Sequence, residues 1–367
     1  LAYDNANGLV WYHRHFFHQM IWYALGTAGA IGLCLADYRV FARWSLVVYW
    51  VMILLLIAVL IPGIGTYRFG ARRWIDFGPL QFQPSEFAKL AFILVLAHFL
   101  SRPLEELRQP QVFWRAIGLT GLPFLLILRE PDLGSALVFL PVGLAMLFVA
   151  GAPPRYLKLV VTGCGLLVAL LLVDILFTPP GWWHIKLEDY QRRRLLVYFG
   201  LDFAPPHATE AERQRARLQE LNDSYNVRQA LISVGSGGLT GKGWRQGTQS
   251  ALGYLPRAVA HNDFIFSVIA EEKGFLGSVV VIGLYTVVLF SGIRIASQAR
   301  DRLGRLLAVG VVTLLFSHVF INIGMNIRIM PVTGIPLPLL SYGGSSVLCS
   351  LFAAGLLQNV HLYRKSY

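Results

Sequence analysis

Asp263 closes the string His261-Asn262-Asp263, where a long polar segment gives way to the apolar run 265–294. An acid at the mouth of a membrane span is expensive unless something needs its charge, and such groups mark substrate paths and proton transfers. Three other polar strings intrude on apolar sequence. Residues 70–78, Gly-Ala-Arg-Arg-Trp-Ile-Asp-Phe-Gly, carry Arg72 and Arg73. The next, 83–89, places Glu86 and Lys89 at i and i+3, on one helix face just inside the apolar zone. Pro84 marks the boundary, and Ser85 is placed to cap a helix starting at Glu86. A helix-start acid with a snorkelling lysine is the bland alternative for that pair. The third string, 129–135, holds Glu130-Pro131-Asp132; its bland alternative is a turn with an Asp cap. Farther on, 330–346 is apolar sequence loaded with Pro and Gly and carries Ser341 and Ser345. Irregular backbone of that kind is tolerated near a membrane where it lines a cavity.

These residues are embedded in a membrane protein. The chain has 367 residues, 55% hydrophobic and 14% charged, with a mean hydropathy of +0.55. A soluble domain rarely has so little polar surface, and a polar stripe that would mark tandem amphipathic helices is missing. About nine apolar blocks long enough to span a bilayer start near Phe16, Leu46, Phe87, Ala116, Ser135, Leu157, Phe264, Leu306 and Ser346. Small residues such as Gly26-Thr27-Ala28-Gly29-Ala30 let helices approach closely. Cys34, Cys164 and Cys349 lie inside apolar blocks and read as small buried hydrophobes. His13, His15 and His18 form a weak metal pattern without a fourth ligand, better read as interfacial histidines.

The short connections orient the bundle. Segments 37–44, 101–115, 151–158, 294–305 and the tail from His361 hold about 13 Lys and Arg, against about 6 in the alternate set, so they face the cytoplasm. The alternate set is the N-terminal stretch, 62–85, 129–132 and the segment around Arg328. The long loop 178–262 then lies outside with that set, and the chain is expected to start outside. The net charge of +12 reflects loops facing anionic lipid; no nucleic-acid motif accompanies it.

The long loop has parts of its own. Residues 189–199 read as an interfacial segment with basic Arg192, Arg193 and Arg194. A capping-box pattern at 209–212 opens a short charged helix to about Leu221. The glycine-rich stretch 235–247 lacks the Ser or Thr a phosphate loop needs after Lys242, so it is expected as a flexible loop whose amides could meet phosphate.

Taken together and in order, the strings at 70–75, 83–89, 130–134, 235–244 with Asp263, and 336–345 resemble the SEDS family (shape, elongation, division and sporulation proteins), most closely its RodA branch. Each string is weak alone; the set is specific and covers nearly the whole chain. The resemblance implies a SEDS-type all-α polytopic bundle, one integral membrane domain over 1–367, whose nine visible spans match the second to tenth of the family's ten. It also implies a peptidoglycan glycosyltransferase of the bacterial cytoplasmic membrane, polymerising lipid II at the outer face for cell elongation. The implied partners are a class B penicillin-binding protein and other elongation proteins. The residues 205–221 are longer and more charged than the family pattern.

Lipid II polymerisation joins an acceptor 4-hydroxyl to the donor's anomeric carbon with inversion, releasing undecaprenyl pyrophosphate. Inversion by single displacement needs one base opposite the leaving group. The family's essential acid matches Asp263, as base or as orienter of the hydroxyl; a helix cap is the alternative. Cations must meet the leaving pyrophosphate: Arg72, Arg73 and Lys89 first, then Arg192, Arg193, Arg194 and Lys242. Glu86 is placed to orient Lys89, which could instead pair with Asp263. Asp132, Ser341 and Ser345 complete the expected substrate contacts. A divalent cation, Mg²⁺ or Mn²⁺, could share the load. The competing reading is a lipid II flippase, which needs no base; a scaffold for a partner enzyme is a third.

Overall fold

A computed structural model describes residues 15–68, 71–77, 80–177, 189–201, 209–255 and 260–365. His13, 70 and 78 of the first polar string, and 178–188 of the long loop lie outside them. In chain order the elements are α1 His15–Cys34, α2 Tyr38–Leu60, β1 Thr66–Arg68, β2 Ala71–Phe77, β3 Leu80–Phe82, α3 Pro84–Leu100, α4 Leu104–Leu107, α5 Pro110–Arg129, α6 Leu133–Ala150 and α7 Pro154–Phe177. They continue with α8 Asp189–Phe199, α9 Glu210–Ser236, α10 Thr248–Ala251, α11 Ile265–Ser297, α12 Arg302–Asn326 and α13 Gly344–Leu362.

Each expected apolar block falls on a helix. Seven helices among the described residues are long and apolar enough to cross a membrane: α2, α5, α6, α7, α11, α12 and α13. The other two expected spans are α1 and the 17-residue α3, the latter reaching about 26 Å at 1.5 Å per residue. The chain is therefore a multi-pass helical membrane protein. Its centre is α3, α6 and α12, where Phe92, Ile93, Leu96, Phe139, Met146 and Val311 are almost wholly buried. In contrast, α7 buries nothing along its apolar window, as a helix bathed in lipid should. The small residues of α1 act as expected. A side chain added at Gly26 would come within 2.5 Å of Leu351, and one at Gly29 within 2.3 Å of Phe352, so α1 seats directly on α13.

The structure corrects several local expectations. Segment 62–85 is not a plain loop: β1, β2 and β3 form a three-stranded antiparallel meander, pairing Arg72 with Tyr67 and Ile75 with Phe82. Pro84 does mark the boundary, as the first residue of α3, but the N-cap is Gln83 and has no side-chain cap bond. Ser85 is buried and accepts from Gln83 Nε2 at 3.1 Å instead of capping. The charged helix does not stop near Leu221 but runs 27 residues, through 225–233 to Ser236. Its start at Thr209 is as read: the Thr209 carbonyl accepts from the Arg213 amide at 2.9 Å.

The span that follows Asp263, α11, is broken. Gly274 in α11 has φ +67° and ψ −163°, a conformation closed to residues with a side chain. The glycine-rich segment fills the break. Phe275 N donates to Gly238 O (2.8 Å), Lys242 N to Glu271 O (3.0 Å) and Gly243 N to Glu272 O (3.0 Å). The Lys242 and Gly243 amides therefore serve carbonyls of α11, as irregular backbone beside a membrane requires; for these two amides this replaces the expectation that they meet phosphate.

Candidate active site

Asp263 sits just ahead of α11, whose N-cap is Phe264 and makes no side-chain cap bond. The capping alternative for Asp263 is thereby removed. Its carboxylate makes no hydrogen bond to a described residue, while its backbone is clamped. Asn322 and Asn326, one turn apart on α12, both donate Nδ2 to the Asp263 carbonyl, at 3.0 and 3.1 Å. Asn326 Oδ1 also accepts from the Ser267 amide and hydroxyl. Both asparagines are 0–1% exposed, so these amides are committed to the clamp.

The segment 327–343 completes the clamp. Ser341 Oγ donates to Asn262 O at 2.6 Å, and Tyr342 N to His261 O at 2.9 Å. Gln19 of α1 holds the same segment through Ser341 O and Gly343 N. Gly334, at φ +79°, lies against the carboxylate: a Cβ there would stand 3.5 Å from Oδ2. His15 and His261 both pack on the Tyr342 ring.

The Asp263 side chain, half-buried, faces a cleft of about 290 Å³ lined also by Arg193, Arg194, Arg328, Asn226 and Tyr198. Helix α8 forms one wall. Arg194 donates to Val332 O at 3.0 Å, Tyr198 to Ile329 O at 2.8 Å, and Arg193 lies 3.5 Å from Asp223. Burial pushes Asp263 up from 3.8 to about 6, against the pull of Arg194; Asp132 adds to the rise and Arg73 opposes it. A carboxyl group near 6 is still mostly ionised at neutral pH and basic enough to accept a proton.

The strand alternation of β2 separates the two arginines that adjacency in sequence had joined. Successive side chains point to opposite faces, so Arg73 shares its face with buried Ala71 and Ile75, and Arg72 does not. Arg73 reaches the turn between α5 and α6, donating to Glu130 O at 3.3 Å and to Pro131 O. Beside it, Glu130 is fully buried, with neither carboxyl oxygen hydrogen-bonded among the described residues. Burial, with Asp132 adding, raises it to about 9 despite Arg73; Glu130 is therefore a neutral acid at pH 7. Asp132 is the N-cap of α6, accepting from Ser135 N at 3.1 Å, and it takes Gln83 Nε2 at 3.4 Å.

Other expected site residues stand elsewhere. Lys89 does not pair with Asp263. It is 2% exposed, bonded to Glu86 Oε1 at 2.6 Å and 2.9 Å from His318 Nε2 of α12, and its charge is not among those felt by Asp263. Lys242 bonds Glu271 at 2.6 Å together with Thr248 and Ser236, bracing the break in α11, and does not line the cleft. Ser345 ties the sheet to α13, donating to Gln81 O and accepting from Gln83 N, each at 3.1 Å. For a metal, no group of three or more His, Cys, Asp or Glu converges among the described residues. The described residues thus form no such cluster for the expected Mg²⁺ or Mn²⁺. Sequence reading missed Asn322 and Asn326, and it named Glu130 and Arg328 without a role in the site. The asparagines carried a signal: two amides at i and i+4 in an apolar span.

The model of the cell cycle protein family that unites FtsW, RodA and SpoVE matches residues 4–366. The chain is 36% identical over 344 residues to the peptidoglycan glycosyltransferase MrdB of Escherichia coli (strain K12), covering 93% of this chain and 84% of that protein. It is 33% identical over 400 residues to the peptidoglycan glycosyltransferase RodA of Treponema pallidum (strain Nichols), covering 95% and 90%. Among solved structures, a chain from work on structural coordination of polymerization and crosslinking by a peptidoglycan synthase complex matches with TM-score 0.73 and 31% identity, covering 96% of this chain and 91% of that one. The Thermus thermophilus rod shape determining protein RodA matches with TM-score 0.64 and 30% identity, covering 96% and 88%.

Proposed function

Because this chain belongs to the cell cycle protein family of FtsW, RodA and SpoVE, we propose that it is a peptidoglycan glycosyltransferase that polymerises lipid II for cell elongation. The observation that carries the site assignment is the state of Asp263. Its carboxylate caps no helix and has no described hydrogen-bond partner, its backbone is clamped by two buried asparagines, and it faces a cleft lined with arginine. Such a group is held ready for a ligand rather than for the fold.

Asp263 takes the proton of the acceptor sugar's 4-hydroxyl as that oxygen forms its bond to the donor's anomeric carbon. The bond from that carbon to the pyrophosphate oxygen breaks on the opposite face, which inverts the anomeric configuration. Arg193, Arg194 and Arg328 are the cleft's cations for the developing negative charge. Arg73 adds its field and holds the 130–132 turn. Lys89 and Glu86 tie α3 to α12 outside the cleft's lining, Asp132 caps α6, and Ser341 and Ser345 position backbone. With Glu130 neutral, Asp132 is the acid of that turn whose charge acts on the base. The cleft opens at the outer face of the cytoplasmic membrane, an assignment supported by the loop charges. The partner is a class B penicillin-binding protein, a reading supported by the likeness to the synthase-complex chain.

The test is polymerisation of purified lipid II in detergent, with and without that partner. Wild type should yield glycan strands, and Asp263→Ala should yield none while remaining folded. Full activity in the variant would remove the base; no product from wild type even with the partner would remove the enzyme and leave a transporter or scaffold.

A further inference from the structure

A second cavity lies at the opposite end of the bundle from Asp263. It has a volume of about 960 Å³ and opens between α2, α3 and α5, near the upper end of the usual range for ligand sites. It lies at the start of α2, the end of α3 and the start of α5, whereas the sheet and the 130–132 turn lie at their other ends. Its wall is apolar, with Leu46, Trp50, Leu119 and Leu122 among the lining residues. Its mouth carries Arg43, Arg102 and Arg115 against one acid, Glu106.

The three arginines differ in a way that matters. Arg102 is used by the protein, donating to Phe99 O at 2.8 Å and pairing with Glu106 at 3.5 Å. Arg43 and Arg115 are exposed and have no ion pair or side-chain hydrogen bond among the described residues. Trp44 and Trp114, each next in sequence to one of these arginines, are 63% and 48% exposed, amphipathic rings of the kind enriched at a membrane–water interface. The groove is kept open at Gly118, where an added Cβ would meet nothing within 4 Å. Cations at the interface above an apolar slot facing lipid match one amphiphile: a phosphate head with acyl chains below it.

We propose that this groove binds one anionic phospholipid of the cytoplasmic leaflet, its phosphate between Arg43 and Arg115 and an acyl chain along Leu46, Trp50 and Leu122. Basic pockets between spans on that side select anionic head groups, and two arginines at about fivefold each give a preference of roughly 25-fold over a zwitterionic lipid.

Native mass spectrometry of the full chain in detergent, titrated with phosphatidylglycerol or phosphatidylcholine of equal chain length, tests it. Wild type should retain one phosphatidylglycerol with roughly 25-fold preference. The double variant Arg43→Gln, Arg115→Gln should bind the two lipids equally. Gly118→Trp should fill the slot and lose the retained lipid with the charges intact. Equal binding of both lipids by wild type, or an undiminished preference in the double variant, would overturn the proposal. Retention unchanged by Gly118→Trp would overturn the placement of the acyl chain.

Discussion

Asp263→Asn exchanges a carboxylate for an amide of nearly the same shape and separates function from fold. Burial moves the acid from 3.8 to about 6, so the folded protein holds this group against its charge. At about 1.4 kcal/mol per tenfold, that displacement corresponds to roughly 3 kcal/mol of lost stability at high pH. The sign follows from linkage. Below 3.8 the group is protonated folded and unfolded, and there is no penalty; through the window from 3.8 to about 6 the penalty grows; above about 6 it is complete. The asparagine variant carries no such penalty. It should be more stable than wild type by up to roughly 3 kcal/mol at pH 8 and by about half of that at pH 5. For a chain of this size that is a rise in Tm of about 3–6 °C at pH 8. Removing the base should lower polymerisation by roughly 10²-fold or more, and wild-type activity should fall with unit slope as pH drops below about 6. Thermal unfolding in detergent at the two pH values, beside a lipid II polymerisation assay, measures both. A variant no more stable than wild type at pH 8 would refute the claim that the fold holds a charge under strain. A stable variant that still polymerises would refute the base.

Two further substitutions probe the surroundings. Arg73→Ala removes donors to Glu130 O and Pro131 O and one cation in the field of Asp263; donor use should weaken about tenfold or more at limiting lipid II, and unchanged kinetics would take Arg73 out of the site. Lys89→Met leaves Glu86 buried without its ion pair and should destabilise the protein by about 3–5 kcal/mol, read as loss of folded protein in detergent; adding Glu86→Gln should recover part of that, and no recovery would mean that Lys89 matters through another contact.

Much of the architecture was legible because bilayer solvation acts on local sequence. An apolar run long enough to span has to become a helix, so each of the nine blocks read from hydropathy falls on one. The polar strings were legible for the converse reason: charge does not persist beside a membrane without a use. What each charge meets was not legible. Arg72 and Arg73 are neighbours in the chain, and pairing in a sheet turned them to opposite faces. Glu86 and Lys89 stand on one helix face as their spacing required, yet the third member, His318, lies 229 residues away. The apolar run of α11 concealed a break at Gly274, because the groups that satisfy it come from a glycine-rich segment about thirty residues earlier.

The same division holds at Asp263. Its position at the head of a span and its lack of an obvious structural duty were readable from the string His261-Asn262-Asp263 and the apolar run after it. Its basicity was not. That value comes from burial under segment 327–343 and from Arg194, Asp132 and Arg73, which reach it from three separate elements. Desolvation and Coulomb interactions act through space, over a few ångströms, between groups that the chain keeps tens to hundreds of residues apart. Residue type and local spacing name the group that could do the chemistry, and packing sets whether its proton comes off at 4 or at about 6.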